Sequence, residues 1–180
     1  MQNVILAIAK QAIQDGLEHT STIDTSALLK QNPEFAEAKA TFVTLTLYGQ
    51  LRGCIGSLVA HRPFLDDLIH NAKAAAFDDP RFYPLSPEEF LHVKIEVSLL
   101  SAPEAVAYHD IEELKSKICV GEDGIILQKG TRKATFLPQV WEQLPDFELF
   151  FSHLCQKAGL EAECLEKHPD IWRYKVEKVK

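Results

Sequence analysis

The chain opens with Val4, Ile5, Ile8, Ala12 and Ile13 at helical spacing, which predicts an amphipathic helix that buries one face. From His19 to Ala40 the pattern turns polar around a single Pro33 and predicts a surface connection with a short helix near Thr25 to Lys30. The run TFVTLTLYG from Thr41 is rich in β-branched and aromatic residues. Val43, Leu45 and Leu47 alternate there with Phe42, Thr44, Thr46 and Tyr48, as in a strand that ends at Gly49. The chain then turns through Gln50 into LRGCIGSLV, where Gly53 and Gly56 predict a backbone bend inside or beside a second strand. Pro63 suits a first helical position, and Phe64, Leu68, Ala72 and Ala75 line one face of a helix that runs to about Phe77. In the following DDPRFYPL, Pro80 and Pro84 withhold two backbone donors, so this segment is an irregular, rigid loop.

Ser86 and Glu89, with Pro87 between them, form a capping-box signature for a short helix. In HVKIEVSLL, Val93, Ile95, Val97 and Leu99 point one way and His92, Lys94, Glu96 and Ser98 the other, the pattern of a half-buried strand. Asp110 and Glu113 cap a helix carrying Ile111, Leu114 and Ile118. GIILQ, KGTRK and ATFLP read as a hairpin centred near Gly130. PQVWEQL and DFELFFSHLCQKAG predict two consecutive helices, the second closed by Gly159, and IWRYKVEKV predicts one closing strand. These elements give an α+β fold, a mostly antiparallel sheet flanked by helices. Without repeats or a Gly/Ser linker, residues 1–180 read as a single domain of a larger and a smaller lobe packed together.

Composition narrows the function classes. Hydrophobic residues at 46% and charged residues at 25% of 180 are those of an ordinary globular chain. A formal charge of -7 sets a mean field that repels phosphate backbones and disfavours sequence-independent binding to nucleic acid or to anionic membranes. The first residues carry Lys10 and Asp15 and lack a basic n-region and a cleavage site, and no stretch approaches the roughly 18 apolar residues of a membrane helix. A soluble, cytoplasmic protein is expected. Cys54, Cys119, Cys155 and Cys164 are scattered without a CxxC, so reduced thiols are expected rather than a disulfide framework. The seven histidines show no HExxH or other tight ligand spacing, and neither a structural metal nor a cofactor is predicted.

Five segments carry a family resemblance. LRGCIGSL at Leu51–Leu58 resembles the hallmark of the AMMECR family, also called AmmeMemoRadiSam system protein A. DDPRFYPLS at Asp78–Ser86, KIEVSLLS at Lys94–Ser101, ATFLPQVWEQLP at Ala134–Pro145 and KAGL at Lys157–Leu160 follow in the family's order. The resemblance implies a two-lobed α+β fold and a genomic association with Memo-like and radical-SAM proteins. It leaves the reaction open. The role in RNA modification that has been predicted for the family finds no support in the acidic charge.

The marked residues each have two readings. Cys54, between two glycines and beside Arg52, suits either an exposed nucleophile or a small buried residue in a tight turn. Arg52 and Arg81 suit clamps for a carboxylate or phosphate, or structural ion pairs with acidic neighbours such as Asp78 or Asp79. Gly53 and Gly56 permit either close approach of a ligand or close packing of the chain. Glu96 is either solvated surface or a carboxylate that lines a groove and serves in acid/base chemistry. Gln139, near a helix start, either helps receive an anion or caps the helix. Lys129, Arg132 and Lys133 around Gly130 are either a phosphate site or a solvated turn, and His61 and His70 bracket the helix after the motif as potential bases. Three functions follow: an enzyme or binding protein for a small or nucleotide-like substrate in a modification pathway, centred on Cys54; a non-catalytic adaptor for the Memo-like and radical-SAM partners; or, third, RNA modification or RNA binding.

Overall fold

The computed structural model describes all of residues 1–180. In chain order its elements are α1 (Gln2–Glu18), α2 (Thr25–Gln31), β1 (Ala40–Leu47), β2 (Gln50–Gly56), α3 (Phe64–Phe77), α4 (Pro87–Phe90), β3 (Lys94–Leu100), β4 (Glu104–Ala105), α5 (Ile111–Lys117), β5 (Gly124–Lys129), β6 (Arg132–Phe136), α6 (Phe147–Lys157), β7 (Asp170–Tyr174) and β8 (Val176–Val179). The chain divides into two compact units, Met1–Leu100 with Glu177–Lys180, and Ser101–Val176. Each unit has its own four-stranded sheet, ordered β2-β1-β3-β8 in the first and β4-β7-β5-β6 in the second. The α+β class read from the sequence is therefore the observed one, with antiparallel pairing between β1, β2 and β3 and between β4, β5, β6 and β7.

In the first unit, Val43, Leu45, Val97 and Leu99 turn one sheet face toward a core shared with Ile5, Ile8 and Ile13 of α1 and Leu65, Leu68 and Ala72 of α3. Removing that apolar surface from water is the main stabilising term, roughly 25 cal/mol for each Å² buried. A polar cluster fixes α3 to the sheet. Asp67 on α3, almost fully buried, accepts hydrogen bonds from Thr41 N–H at 2.8 Å, Thr41 Oγ1 at 2.8 Å, Ser57 Oγ at 2.7 Å and Asn71 Nδ2 at 3.0 Å. Arg62 Nε stands 3.0 Å from the same carboxylate. The cluster joins the start of β1, the end of β2 and α3.

In the second unit the core is aromatic. Trp141 stacks on Phe150 of α6 with ring centroids 3.5 Å apart, and Phe147, Phe151 and Leu154 pack with Ile125, Leu127 and Ile171 of the sheet.

Four expectations are corrected. The stretch from His19 to Ala40 is not all surface, because a 3-10 turn at Pro33–Ala36 inserts Phe35 into the core against Phe64. PQVWEQL forms a five-residue 3-10 helix, Pro138–Glu142, and not an α-helix. IWRYKVEKV is two strands in two sheets, broken at Lys175, with Ile171 in one core and Val179 in the other. Cys155 and Cys164 form a disulfide, since the last turn of α6 and a 3-10 turn at Cys164–Lys167 bring their Cα atoms to 5.8 Å, within bridging range. Only Cys54 and Cys119 are free thiols.

The capping box is present in both directions at Ser86 and Glu89, and Asp110 caps α5. Pro63 sits one residue before its expected place, as the N-cap of α3.

Candidate functional site

The β1–β2 hairpin turns through Tyr48 and Gly49, both at positive φ, as a two-residue primed turn requires. Undisturbed pairing from that turn would set Thr44 against Gly53. Instead the register slips between Leu45 and Thr46, leaving Arg52 as an extra residue in a bulge, and Thr44 pairs with Cys54. Gly53 now faces the helices, where a methyl group would overlap the Ala75 carbonyl of α3, and Cys54 faces the other way. A side chain at Gly56 would strike the Phe42 ring and the Thr41 carbonyl. Both glycines thus have a packing duty of their own.

The partly buried Cys54 places its Sγ 3.3 Å from Thr44 Oγ1. Because β2 is an outer strand, its backbone groups on the far side lack a neighbouring strand, and the DPRF loop supplies side chains in its place. Asp79 Oδ2 accepts the Cys54 N–H at 2.9 Å, and Arg81 Nη2 donates to the Cys54 carbonyl at 3.3 Å. Asp79 and Arg81 are themselves paired at 2.7 Å. The Arg81 guanidinium holds the buried Asp79 carboxyl far below the usual carboxylate range; burial opposes this, and the Cys54 N–H adds to it.

Arg52 leaves the bulge toward Glu89, which it binds through two nitrogens, Nε and Nη2, each at 2.8 Å, and Nη2 also donates to the Tyr83 carbonyl at 2.9 Å. Its side chain is 12% exposed, and its Nη1 is buried without a partner. Glu89 is lowered by Arg52 first and by the Ser86 N–H second. The Phe82 ring lies near both guanidinium groups, 5.6 Å from Arg52 and 5.5 Å from Arg81.

Of the residues singled out in the sequence, Arg52, Gly53, Cys54, Gly56, Asp79 and Arg81 come together in this one patch. Glu96 is on the same sheet face, paired with Thr44 across β1–β3, but two strands from Cys54, roughly 10 Å at ordinary strand spacing. Its carboxylate is drawn to Lys180 at 2.9 Å and Lys178 at 3.5 Å. Gln139 belongs to the second unit, exposed on the 3-10 helix there. His61 makes its ring contact with the Val59 carbonyl, and neither it nor His70 hydrogen-bonds to Cys54. Lys129 and Arg132 donate to the carbonyls of Lys167 and Gly159. No three His, Cys, Asp or Glu side chains converge as metal ligands would, and no helix is long and apolar enough to cross a membrane.

Sequence reasoning missed Thr44, Glu89, Phe82 and Tyr83. The capping box did mark Glu89, but its carboxylate serves twice, accepting the Ser86 N–H at 3.0 Å as well as Arg52. Thr44 was hidden by the bulge, since its partner depends on where the extra residue sits.

The chain as a whole is similar to known proteins. Residues 6–179 match the family model described as AMMECR1. A protein of Methanothermobacter thermautotrophicus is 35% identical over 176 residues, covering 96% of this chain and 90% of its own. One from Thermofilum pendens is 36% identical over 182 residues, covering 95% and 81%. Among solved structures, the uncharacterized protein PH0010 from Pyrococcus horikoshii superposes with a TM-score of 0.80 at 34% identity, covering 97% of this chain and 88% of that one. With the family model spanning nearly its whole length, the chain belongs to the AMMECR1 family.

Proposed function

We propose that this protein binds a small or nucleotide-like substrate of a modification pathway at the Cys54 patch, acting there with Memo-like and radical-SAM partners. The observation that carries the reading is the fixing of the Cys54 peptide on both sides, its N–H by Asp79 and its carbonyl by Arg81, while the thiol stays beside the Thr44 hydroxyl on the sheet face turned away from the core. Such a backbone is pre-organised, so a ligand that meets the thiol loses little chain entropy on binding. Arg52 and Arg81 already hold carboxylates and therefore shape the site more than they contribute net charge. Dialysis of the chain against the small-molecule fraction of a cell extract tests this. A compound enriched by the native chain and lost in Cys54→Ser supports the reading, and equal enrichment by both, or none by either, overturns it.

A second reading has its own support. No base hydrogen-bonds to the Cys54 thiol, whose side-chain hydrogen-bond partner is the Thr44 hydroxyl. This favours a non-catalytic adaptor over cysteine-centred catalysis. Native pull-down with Memo-like and radical-SAM proteins tests it, and recovery of neither counts against it. RNA is the weakest ligand class for a chain of charge -7, and salt-sensitive RNA retention would be needed to revive it.

A further inference from the structure

The first unit carries an apolar trench whose lining residues are distinct from those of the Cys54 patch. One part, of about 460 Å³, is lined by Lys10, Gln14, Leu17 and Glu18 of α1 and by Pro87, Phe90 and Leu91. An adjoining part of about 230 Å³ shares Lys10, Phe90 and Leu91 and extends to Leu6, Val93 and Ile95. Leu91 projects beside it with 78% of its surface exposed, and the next residue, His92, lies with its ring 5.9 Å from that of Tyr48, itself 80% exposed. Apolar surface that is continuous in this way and rimmed by charge marks an interaction face.

The charges on the rim say what fits. Lys10 and Glu18 lie on the same side of α1, eight residues or about 12 Å apart, with Gln14 midway between them. Lys10 has no acidic partner, and Glu18 receives only a hydrogen bond from Gln14. A two-fold axis through Gln14 that sets a second α1 antiparallel to the first brings Lys10 against Glu18 of the second copy, and Glu18 against its Lys10. An isologous interface must be self-complementary, and this stripe is. We infer that the α1 trench is the interface of a homodimer, closed by two Lys10–Glu18 ion pairs around Gln14, with Leu91 and Leu17 as its apolar contacts.

Sedimentation equilibrium on the full chain, from micromolar to millimolar concentration, tests this with a charge swap. The native chain is expected to dimerise. Lys10→Glu and Glu18→Lys alone should each weaken dimerisation by about tenfold or more, because each sets like charges together twice, and the double swap should restore it. Lys10 and Glu18 are exposed, so all three variants should keep the native circular dichroism. A native chain that stays monomeric throughout overturns the inference. So does a native dimer that the single swaps leave unchanged, or that the double swap fails to restore.

Discussion

The two units have the same number of strands but hold themselves together by different means. The first fixes its main helix to its sheet with a buried carboxylate that collects donors from three segments. The second relies on an aromatic stack and a covalent bridge between Cys155 and Cys164. A buried carboxylate is valuable only while every donor is placed, whereas an aromatic core tolerates small shifts. The unit held by the exacting arrangement is also the one that carries the Cys54 patch.

Both tryptophans, Trp141 and Trp172, belong to the second unit, while most of the helix belongs to the first. Tryptophan fluorescence therefore reports on the second unit, and far-ultraviolet dichroism mainly on the first. The largest effect is expected from Asp67→Ala, which leaves buried donors on Thr41, Ser57 and Asn71 unmatched and should cost about 3–5 kcal/mol. The dichroism transition should move down strongly and the fluorescence transition much less. Equal shifts in both would mean that the units unfold as one. Next, Cys155→Ser, or reduction, opens a short covalent loop and should cost about 2–3 kcal/mol, seen first by fluorescence.

Solution pH should separate the units further, by a smaller and graded amount. In the first unit, burial pushes Asp15 up, but hydrogen bonds from Thr22, Gln11 and Thr20 outweigh it and bring the carboxyl down to about 2; Asp79 is also well below its usual range. The stability these groups contribute is present above the ordinary carboxylate range and is lost as pH falls from about 4 toward 2. In the second unit, burial pushes Tyr108 and Tyr174 up to about 12, with Asp170 adding to the first and a Thr135 hydrogen bond opposing the second. These phenols favour folding while protonated, so their contribution is lost as pH rises from about 10 toward 12. The second unit's lowered carboxyls, Glu113 and Glu148, are surface ion pairs screened by solvent, so acid should lower the dichroism midpoint first and alkali the fluorescence midpoint first. The reverse order would break the comparison. The smallest effect is expected from Lys180→Ala, which removes an exposed partner of Glu96 and should change stability by less than about 0.5 kcal/mol.

Much of the fold was legible because it rests on periodicity and caps. The alternation at Val43 to Leu47, the capping box at Ser86 and the glycine after α6 each act through a few adjacent residues. What was not legible depends on contacts distant in sequence. A two-residue period cannot tell which sheet a strand joins, so Ile171 and Val179 read as one strand although they enter different cores. Nothing in the spacing of Cys155 and Cys164 announces a bridge, and nothing near Asp67 announces that donors from residues 41 and 57 will meet it. The candidate patch was legible in its residue types, Arg52, Cys54, Asp79 and Arg81, but not in its wiring. One extra residue at Arg52 decided that Thr44 and not another side chain meets the thiol.

The side chains that border β2 have a consequence for the chain's fate in crowded surroundings. An outer strand with unclaimed N–H and C=O groups is a template on which other chains can add strands, and at Cys54 those groups are claimed by Asp79 and Arg81. The DPRF loop therefore works as a guard against strand addition at this sheet edge as well as a wall of the patch. Damage to that pair would reveal itself first as insoluble protein, before any loss of binding could be measured.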